Sequence, residues 1–550
     1  MKQRFFLVVF IIVIISGATQ AQLPLIDRMT LEQKVAQMFM VTLHGSVLTE
    51  DGAAFLERYQ PGLVVLFTSN AGTPDAVTRL TNSYQQTITG AGGVPLLIAV
   101  DQEGGVVTRL PDGFTMFPTP MLIGAAGAEM AFETGLAAAE ELAAVGINMN
   151  LAPVADLETN PDNPIITRRS FGSDPTLVGE AVSAYVQGAQ SINVLSTVKH
   201  FPGHGDTSED SHGTLPVLNL SRETLETREL VPFQMAVDAG VAAVMVAHID
   251  FTALDDVPNL PASLSPDIIT GLLREDMGFD GLIMTDAMDM NAVDLYYNFY
   301  DAVVMAVNAG VDVVSMGPGI GLPIAEQAIQ RVVAEVNAGN IPESRIDESV
   351  ERILATKERF NVLNWQPLDP ATVDERMNLA AHGDVFDRLY QAGATVAYDR
   401  NNLVPVPADK SVAVIFLATR YQIQQECAQY RSDIRWVGVA DNPDQEQIGW
   451  AVGAAALSDV VIVFTQDAIR NLEQQALVNA LPPEKTVAVA IWSPYDWQTF
   501  PQVSAYMATY TPARPAVPAA CAILFGAQSA TGRLALTLGP DLLAGSHDVP

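Results

Sequence analysis

The chain is 550 residues long, which is long for one domain and predicts two. Hydrophobic residues make up 49% of it and charged residues only 17%, so there is enough apolar material for a large core. Lysine and arginine number 29 against 63 acidic residues, a formal net charge of −34. This excess of carboxylates argues against nucleic acid, whose phosphates would be repelled, and disfavours anionic lipid surfaces.

The N-terminal segment has the pattern of a signal peptide. Two basic residues precede an apolar run from Phe5 to Ile15, and small and polar residues follow through Ala21. We therefore expect a signal peptide over residues 1–21, a mature protein that begins near Gln22, and a secreted, periplasmic or cell-envelope location. The apolar run is short for a spanning helix. An uncleaved N-terminal anchor is the alternative, and we expect no other membrane partner.

Eight short apolar runs alternate with helical stretches between residues 30 and 320. They are QMFMVT (37–42), GLVVLF (62–67), PLLIAV (95–100), INMNLAP (147–153), VLSTVKH (194–200), AAVMVAH (242–248), GLIMTD (281–286) and VDVVSMG (311–317). Because both of their faces are apolar, they are typical of strands in a buried parallel sheet. Between them lie helices with clear boundaries, such as the one that Ser221 caps and Gly240 ends. The pattern predicts an α/β fold that begins with a (β/α)8 TIM-type barrel over residues 22–362.

The alternation of predicted strands and helices stops over residues 363–384, where two prolines and a lack of periodicity predict a linker. Over residues 385–550 the pattern predicts a smaller α/β layered (sandwich) domain. Its candidate strands are SVAVIFLA (411–418), DVVIVFT (459–465), TVAVAIW (486–492) and SAYMATY (504–510). The two cysteines, Cys427 and Cys521, are too few for a disulfide scaffold, and one bridge between them is allowed but not established by the sequence.

Polar side chains fall at or just beyond the carboxyl ends of the predicted barrel strands. They are Asp101, Asp156, Lys199, His200, His248 and Asp286. In such barrels this rim carries the active site. The loop KHFPGHGDTSEDSHGTLP, residues 199–216, holds three of the seven histidines and therefore lies on the predicted active face.

A metal site is not the expectation for this loop. His200 and His204 are four residues apart, which suits zinc only on a helix, and Pro202 and Gly203 between them argue against a helix. The sequence contains no HxH or HExxH motif. We expect neither a metal nor an organic cofactor.

Asp210 and His212 offer acid/base chemistry instead. In an extended segment residues i and i+2 project to the same side, so the carboxylate can fix the tautomer of the imidazole and stabilise its protonated form. Such a pair can donate and accept a proton near neutral pH. The alternative is that the two residues merely close the loop. Ser211 points the other way and no GxSxG turn occurs, so a serine triad is not expected.

Asp286 ends the seventh predicted strand, so its carboxylate should face the barrel mouth. A carboxylate nucleophile opposite a general acid is the arrangement of a retaining glycosidase, and here the His212 and Asp210 pair would replace the second carboxylic acid. A purely structural role is the alternative for Asp286. Asp289 is expected to be a surface or helix-start residue.

The motifs resemble glycoside hydrolase family 3, in its bacterial β-N-acetylglucosaminidase branch. DQEGG followed by Arg109, the RSFGSDP run, KHFPGHG with DSH at fixed spacing, and TDAMDM match in order. The resemblance extends from about Met29 through the barrel, and CAILFGAQSATGRLALTL is similar to the family's closing segment. KHFPGHGxxxxDSH is highly specific, whereas DQEGG alone is weak.

The resemblance implies roles for individual residues. Asp286 would be the nucleophile that forms a covalent glycosyl-enzyme, His212 the acid/base, and Asp210 its orienting partner. The implied sugar-binding residues are Asp101, Arg109, Arg169, Lys199 and His200. A structural ion-pair network is the alternative for these residues. His204 and His248 would support the loop and the floor of the site.

The implied function is hydrolysis of terminal β-linked N-acetylglucosamine from peptidoglycan fragments or chitin-type oligosaccharides, by a protein that we expect to be a monomer. The enzymatic alternatives are a β-glucosidase or β-xylosidase of the same family and an N-acetylglucosamine phosphorylase. A non-catalytic cell-wall sugar-binding protein is a further alternative, but pure binding needs no proton shuttle. The second domain contains few glutamates and none in a recognisable motif, so a scaffold role is expected for it.

Overall fold

The computed structural model describes residues 25–547, and the predicted signal peptide lies outside them. Their first part forms a parallel barrel of eight strands in the predicted positions. The strands are β1 Phe39–Thr42, β2 Leu63–Leu66, β3 Leu97–Val100, β4 Met149–Asn150, β5 Leu195–Phe201, β6 Ala243–Val246, β7 Leu282–Thr285 and β8 Val314–Ser315. Their order is β7-β6-β5-β4-β3-β2-β1-β8, and a bridge between Met284 and Val313 brings the two ends nearly to closure. The barrel prediction is confirmed.

Helices cover the outside of the barrel. In chain order they are α1 Leu31–Gln37, α2 Glu50–Tyr59, α3 Pro74–Gly90, α4 Pro120–Ala126, α5 Ala128–Ala144, α6 Pro175–Gln190, α7 (Arg222–Thr224, Leu225–Glu229 and Leu230–Asp238), α8 Asp267–Asp276, α9 Asn291–Asp294, α10 Phe299–Ala309, α11 Leu322–Asn337 and α12 Glu343–Arg359. The middle segment of α7 and all of α8 are π-helical. Ser221 caps α7 as predicted, because its hydroxyl accepts a hydrogen bond from the Thr224 amide.

A second α/β domain follows, as predicted. Its strands are β9 Thr395–Asp399, β10 Val412–Leu417, β11 Arg435–Val439, β12 Val460–Thr465, β13 Thr486–Ala490 and β14 Ala505–Ala508. They form one sheet in the order β9-β14-β13-β12-β10-β11, parallel except for β9. The helices of this part are α13 Val373–Met377, α14 Leu379–Gly393, α15 Gln422–Cys427, α16 Gln445–Ala456, α17 Leu472–Asn479 and α18 Ala516–Leu524.

The apolar runs do not predict β9 and β11, which are the two edge strands of this sheet. An edge strand pairs on one side only. β11 carries exposed residues, Arg435 among them, so it lacks the apolar run that identified the central strands. β9 runs antiparallel at the other edge and follows α14 directly, with Ala394 between them.

The predicted linker, 363–384, contains short helices, and its end falls inside α14. That helix packs on α4 and α5 of the barrel. His382 on α14 lies between two carboxylates of α5, with Nδ1 2.8 Å from Glu141 and Nε2 2.7 Å from Glu140. This helix therefore connects the two domains by direct contact as well as by chain continuity.

Cys427 and Cys521 form a disulfide between α15 and α18, with their Cα atoms 5.0 Å apart. The bridge that the sequence allowed is therefore present. No helix within residues 25–547 is long and apolar enough to cross a membrane.

Candidate active site

A cavity of about 420 Å³ opens at the carboxyl ends of the barrel strands. Its floor is apolar and includes Met40, Val65 and Met245, whereas its walls are polar. The predicted site residues that line it are Asp101, Arg109, Arg169, Lys199, His200, His212 and Asp286. Asp210 joins them through a hydrogen bond to His212. The structure thus brings all eight predicted residues together, while their roles remain predictions.

Two cations and two carboxylates form a buried chain along one wall. Lys199 Nζ lies 2.7 Å from Asp101 Oδ1 and 2.7 Å from Glu103 Oε1. Arg169 donates to both oxygens of Glu103 through Nε and Nη2, each at 2.9 Å. Arg109 Nη2 approaches Asp101 Oδ2 at 3.9 Å from the more exposed side. Charged donors and acceptors are therefore held in a fixed arrangement before any substrate enters.

The charges in this chain support one another. Burial alone would raise the pKa of Glu103, but Arg169 and Lys199 outweigh it and hold that pKa far below its usual range. Burial alone would lower the pKa of Lys199, but Asp101 and Glu103 outweigh it and raise that pKa. Both groups are therefore ionised at neutral pH.

Glycines explain how the segment after β3 reaches the cavity. The chain turns into a hairpin in which Gln102–Gly104 pairs with Val107–Thr108. At Gly104, φ is +97°, and a Cβ there would lie 2.6 Å from the carbonyl oxygen of Pro118. The Gln102 side-chain oxygen accepts from the amide of Arg109 at 3.0 Å, which fixes the start of that arginine. The DQEGG motif therefore folds the hairpin as well as supplying its carboxylates.

Asp156 organises the beginning of the histidine loop from below. It is fully buried and accepts from the backbone amides of His200 and His204. Its Oδ2 lies 2.7 Å from His200 Nδ1, while Arg169 Nη2 lies 3.4 Å from His200 Nε2. Because the guanidinium can only donate, Nδ1 carries the ring hydrogen and donates it to Asp156. Burial would raise the pKa of Asp156, but His200 outweighs it and the pKa is lowered.

The rest of the loop is tied down by buried polar contacts. His204 Nε2 lies 2.9 Å from Ser211 Oγ, and Nδ1 lies 3.2 Å from Thr207 Oγ1. The Asn163 amide donates to the carbonyl oxygens of His204 and Gly205, each at 3.0 Å. Burial lowers the pKa of His204 to about 4, so the ring is neutral and acts as a structural support, as expected.

Asp210 and His212 form the predicted pair at the mouth of the cavity. Asp210 Oδ1 lies 2.8 Å from His212 Nδ1 and accepts from the His212 amide at 2.8 Å. Burial would raise the pKa of Asp210, but these contacts with His212 outweigh it and the pKa is lowered. His212 Nε2 has no hydrogen-bond partner among the described residues, and its side chain is 65% exposed. That nitrogen is available to a ligand.

Asp286 stands where β7 ends. Its amide donates to the carbonyl oxygen of Val246 on β6, and its Oδ1 accepts from the Ala287 amide at 2.7 Å. The other oxygen, Oδ2, has no hydrogen-bond partner among residues 25–547. Burial would raise the pKa of Asp286, but His200 and His248 outweigh it and the pKa lies below its usual range. The group is an ionised carboxylate with one free oxygen.

His248 and Asp289 support this end of the barrel. His248 Nδ1 lies 2.6 Å from Ser263 Oγ, and Nε2 lies 3.1 Å from the carbonyl oxygen of Ala287. Asp289, expected at the surface or at a helix start, lies two residues before α9, lines the cavity wall and accepts from the Gly319 amide at 2.5 Å. It thereby connects the loop after β7 with the loop after β8.

Glu103 lines the cavity and pairs with Arg169 and Lys199, but the sequence pattern does not indicate it. It lies inside the quoted DQEGG motif, but a glutamate in a turn gives no signal that separates it from a solvated residue. Asp156 was noted at a strand end without a partner, and its contacts with the histidine loop depend on the fold.

Within residues 25–547, no group of three or more histidine, cysteine or acidic side chains is arranged to hold a metal ion. The rings of His200 and His204 lie 5.8 Å apart, and each is hydrogen-bonded to protein groups. The chemistry of the cavity is therefore that of a free carboxylate, an imidazole and an array of charged hydrogen-bonding groups.

Comparison with known proteins agrees with this arrangement. The model of the glycosyl hydrolase family 3 N-terminal domain matches residues 30–356. A solved glycoside hydrolase family 3 β-N-acetylglucosaminidase from Paenibacillus sp. str. FPU-7 is 34% identical, with a TM-score of 0.77 over 93% of this chain and 99% of that one.

Two curated relatives are named β-hexosaminidases. Beta-hexosaminidase A from Pseudoalteromonas piscicida is 28% identical and covers 95% of this chain and 98% of its own length. The enzyme from Nitrosomonas eutropha is 34% identical over 50% of this chain and 79% of its own length. The resemblance seen in the motifs is confirmed: this chain belongs to glycosyl hydrolase family 3 and is a glycoside hydrolase.

Proposed function

We propose that this chain is an exported, retaining exo-β-N-acetylglucosaminidase that removes terminal β-linked N-acetylglucosamine from peptidoglycan fragments or chitin-type oligosaccharides. One observation carries the proposal: Asp286 and His212 line the same cavity, the first with a free carboxylate oxygen and the second with a free ring nitrogen. The names of the relatives support the N-acetylhexosaminide class of substrate.

In the proposed first step, Asp286 Oδ2 attacks the anomeric carbon while His212 Nε2 protonates the departing glycosidic oxygen. The sugar becomes covalently bound to Asp286, and the aglycone leaves as an alcohol. The Asp210 carboxylate stabilises the protonated imidazole and holds the ring in the tautomer that carries hydrogen on Nδ1. In the second step His212 takes a proton from water, whose oxygen attacks the anomeric carbon and breaks its bond to Asp286, so that the sugar is released with its original configuration.

The buried chain of charges is suited to holding the terminal sugar. Asp101 can accept from sugar hydroxyls, while Arg109, Arg169 and Lys199 can donate to them. The apolar barrel core closes the cavity below. A closed floor favours the end of a glycan over its interior, which is why we propose exo-action.

The proposed export has two supports. The first is the signal-peptide pattern of residues 1–21. The second is the Cys427–Cys521 disulfide, since such bonds persist in oxidising compartments outside the cytosol. Cell fractionation, with mass spectrometry of the mature N-terminus, would test both; an N-terminus at Met1 in a cytosolic fraction would contradict export.

The activity is tested with matched nitrophenyl β-glycosides of N-acetylglucosamine and glucose, and with chitobiose in the presence and absence of phosphate. The proposal predicts preferred cleavage of the N-acetylglucosaminide and free N-acetylglucosamine as the product in both buffers. A predominant glucosidase activity, or a sugar 1-phosphate as the main product in phosphate, would contradict it. Sugar binding without any turnover would favour the non-catalytic alternative.

A further inference from the structure

A second cavity, of about 410 Å³, lies between the two domains. The barrel contributes Arg168 and the tip of the hairpin after β3, and the second domain contributes Arg420, Arg514 and Trp492. We call it the arginine pocket, after Arg168, Arg420 and Arg514. Its described lining contains these three arginines and no acidic side chain. In a chain with 63 acidic and 29 basic residues, this is a strong local reversal of charge.

None of these three guanidinium groups forms an ion pair with another residue from 25 to 547. The Arg168 guanidinium carbon lies 3.4 Å from the centre of the Trp492 ring, and its Nε and Nη1 atoms have no hydrogen-bond partner among the described residues. Arg420 Nε donates to the neutral amide oxygen of Gln466 at 2.8 Å. Neither Arg420 nor Arg514 forms an ion pair with any residue from 25 to 547. The Arg168 and Arg420 guanidinium groups are therefore positioned by an aromatic ring and an amide, and the Asp467 carboxylate of a neighbouring cavity acts on Arg168 without forming an ion pair with it.

Acidic side chains line the two cavities that adjoin the arginine pocket. Glu158 and Asp467 line a cavity that also touches Arg168, and burial raises the pKa of Glu158 to about 8. Glu158 is therefore mostly uncharged at neutral pH. Burial lowers the pKa of Arg168 to about 10, so that residue remains a cation. Asp387 and Glu426 line a third cavity beside Arg514 without forming an ion pair with it.

The arginine pocket adjoins the catalytic cavity through two shared elements. In the turn Thr167–Arg169, Arg169 lines the catalytic cavity while Arg168 lines the arginine pocket. In the hairpin after β3, Val107 lines the catalytic cavity while Val106 lines the arginine pocket. Val106 is 63% exposed, so the hairpin tip between the two cavities is open to solvent. A molecule with its terminal sugar in the catalytic cavity can extend toward the arginines.

We propose that the arginine pocket binds a carboxylate group carried by the part of the substrate beyond the cleaved bond. This inference rests on the proposed function. Guanidinium groups bind carboxylates through paired, charge-assisted hydrogen bonds, and the exposed part of the Trp492 ring can pack against the apolar part of the same ligand. The enzyme therefore prefers glycans with an acidic aglycone to neutral chitin-type oligosaccharides. The acid is either a lactyl ether on the next sugar or the carboxylate of an attached peptide.

The test compares acidic and uncharged substrates, of which the lactyl acid and its amide are matched in all but charge. The substrates are N-acetylglucosamine β-linked to N-acetylmuramic acid, the same disaccharide with its lactyl group amidated, the same disaccharide carrying a short acidic peptide, and chitobiose. For whichever acidic substrate the arginine pocket binds, we expect kcat/KM to exceed that for the amide by about tenfold, equivalent to about 1.4 kcal/mol. The preference should shrink with added salt. The lactyl and peptide substrates identify which carboxylate is bound.

The double variant Arg420→Gln/Arg514→Gln should lose this preference and keep the wild-type kinetics on chitobiose. Arg435→Gln is the matched control, because Arg435 lies in the same domain outside the pocket, with Nη1 bonded to Leu457 and Ser458. Equal rates on the amide and on both acidic substrates in the wild type would overturn the inference, as would a preference that persists in the double variant.

Direct binding separates this inference from the proposed function. Calorimetry with N-acetylmuramic acid, its amide and N-acetylmuramic acid carrying the acidic peptide needs no turnover. If the wild type binds an acidic ligand more tightly than the amide and the double variant does not, carboxylate binding by the arginine pocket is supported even if no glycoside is hydrolysed. Equal binding of the amide and of both acidic ligands by the wild type would contradict the arginine pocket while leaving activity on chitobiose unaffected.

Discussion

Glu103 allows the sharpest test of the buried charges, because Glu103→Gln changes one charge without changing the size of the side chain. The carboxylate is 4% exposed and is held by Arg169 and by Lys199. In the variant, Arg169 loses its carboxylate partner and Lys199 retains only Asp101. Removing one partner of a buried ion pair costs about 3–5 kcal/mol, so we expect the free energy of unfolding to fall by about that amount at pH 7.

The pH dependence of this loss follows from the pKa of Glu103, which folding lowers below its ordinary value of 4.5. The stabilisation is complete above pH 4.5 and is lost as the pH falls below it. Each pH unit below that value removes about 1.4 kcal/mol. The difference between wild type and variant should therefore be about 1.4 kcal/mol smaller at pH 3.5 than at pH 7.

Urea unfolding of the full chain at both pH values measures these differences. The matched control is Glu226→Gln, which removes an equally short ion pair, 2.7 Å from Arg222, whose partners are 56% and 50% exposed. An exposed pair of this kind contributes about 0.5 kcal/mol or less. A loss below about 1 kcal/mol for Glu103→Gln at pH 7, or one that does not change with pH, would refute the reasoning.

Two further predictions concern other buried groups. Ser211→Ala removes the hydrogen bond that ties the acid/base loop to His204, so kcat on N-acetylglucosaminides should fall about tenfold with little change in KM. The fall in kcat should be smaller with leaving groups that need no protonation. Ser208→Ala, on the exposed side of the loop, should have no effect, and equal kinetics for the two variants would contradict the prediction. Burial lowers the pKa of Lys357 from 10.5 to about 7. The buried ammonium group therefore lowers the free energy of unfolding not at all above pH 10.5, increasingly as the pH falls, and by the full amount below about pH 7. Lys357→Met should therefore raise the free energy of unfolding by on the order of 3 kcal/mol at pH 7 and by much less at pH 10. The exposed substitution Lys410→Met should leave the free energy of unfolding unchanged at both pH values. A stabilisation by Lys357→Met of the same size at both pH values would contradict this prediction.

The barrel could be predicted because its strands carry their signal locally. A strand buried on both faces is an apolar run wherever it pairs, so β1 to β8 could be recognised without knowing their neighbours. The edge strands β9 and β11 have no such run, because one side of each is unpaired. The sequence predicts a linker where α14 begins, because the contacts of this helix with the barrel are not visible in the local sequence.

The same distinction applies to the site. The contact between Asp210 and His212 was expected from an extended segment; the segment is instead a turn, in which the Asp210 carbonyl oxygen accepts from the Gly213 and Thr214 amides and Oδ1 accepts from the His212 amide. The role of Glu103 depends on Arg169 and Lys199, which lie 66 and 96 positions further along the chain, so no local pattern indicates it. The contact of Asp289 with the Gly319 amide could not be predicted, because Gly319 belongs to another loop.

The central claim is that Asp286 becomes covalently bound to the sugar. The direct measurement is mass spectrometry of the His212→Ala variant after brief reaction with an N-acetylglucosaminide whose leaving group needs no protonation. Without its acid/base residue, the variant should form the glycosyl-enzyme faster than it hydrolyses it, and peptide mapping should find one N-acetylglucosamine residue on Asp286. A sugar attached to a different carboxylate, or aglycone release with no covalent adduct at any reaction time, would contradict the account.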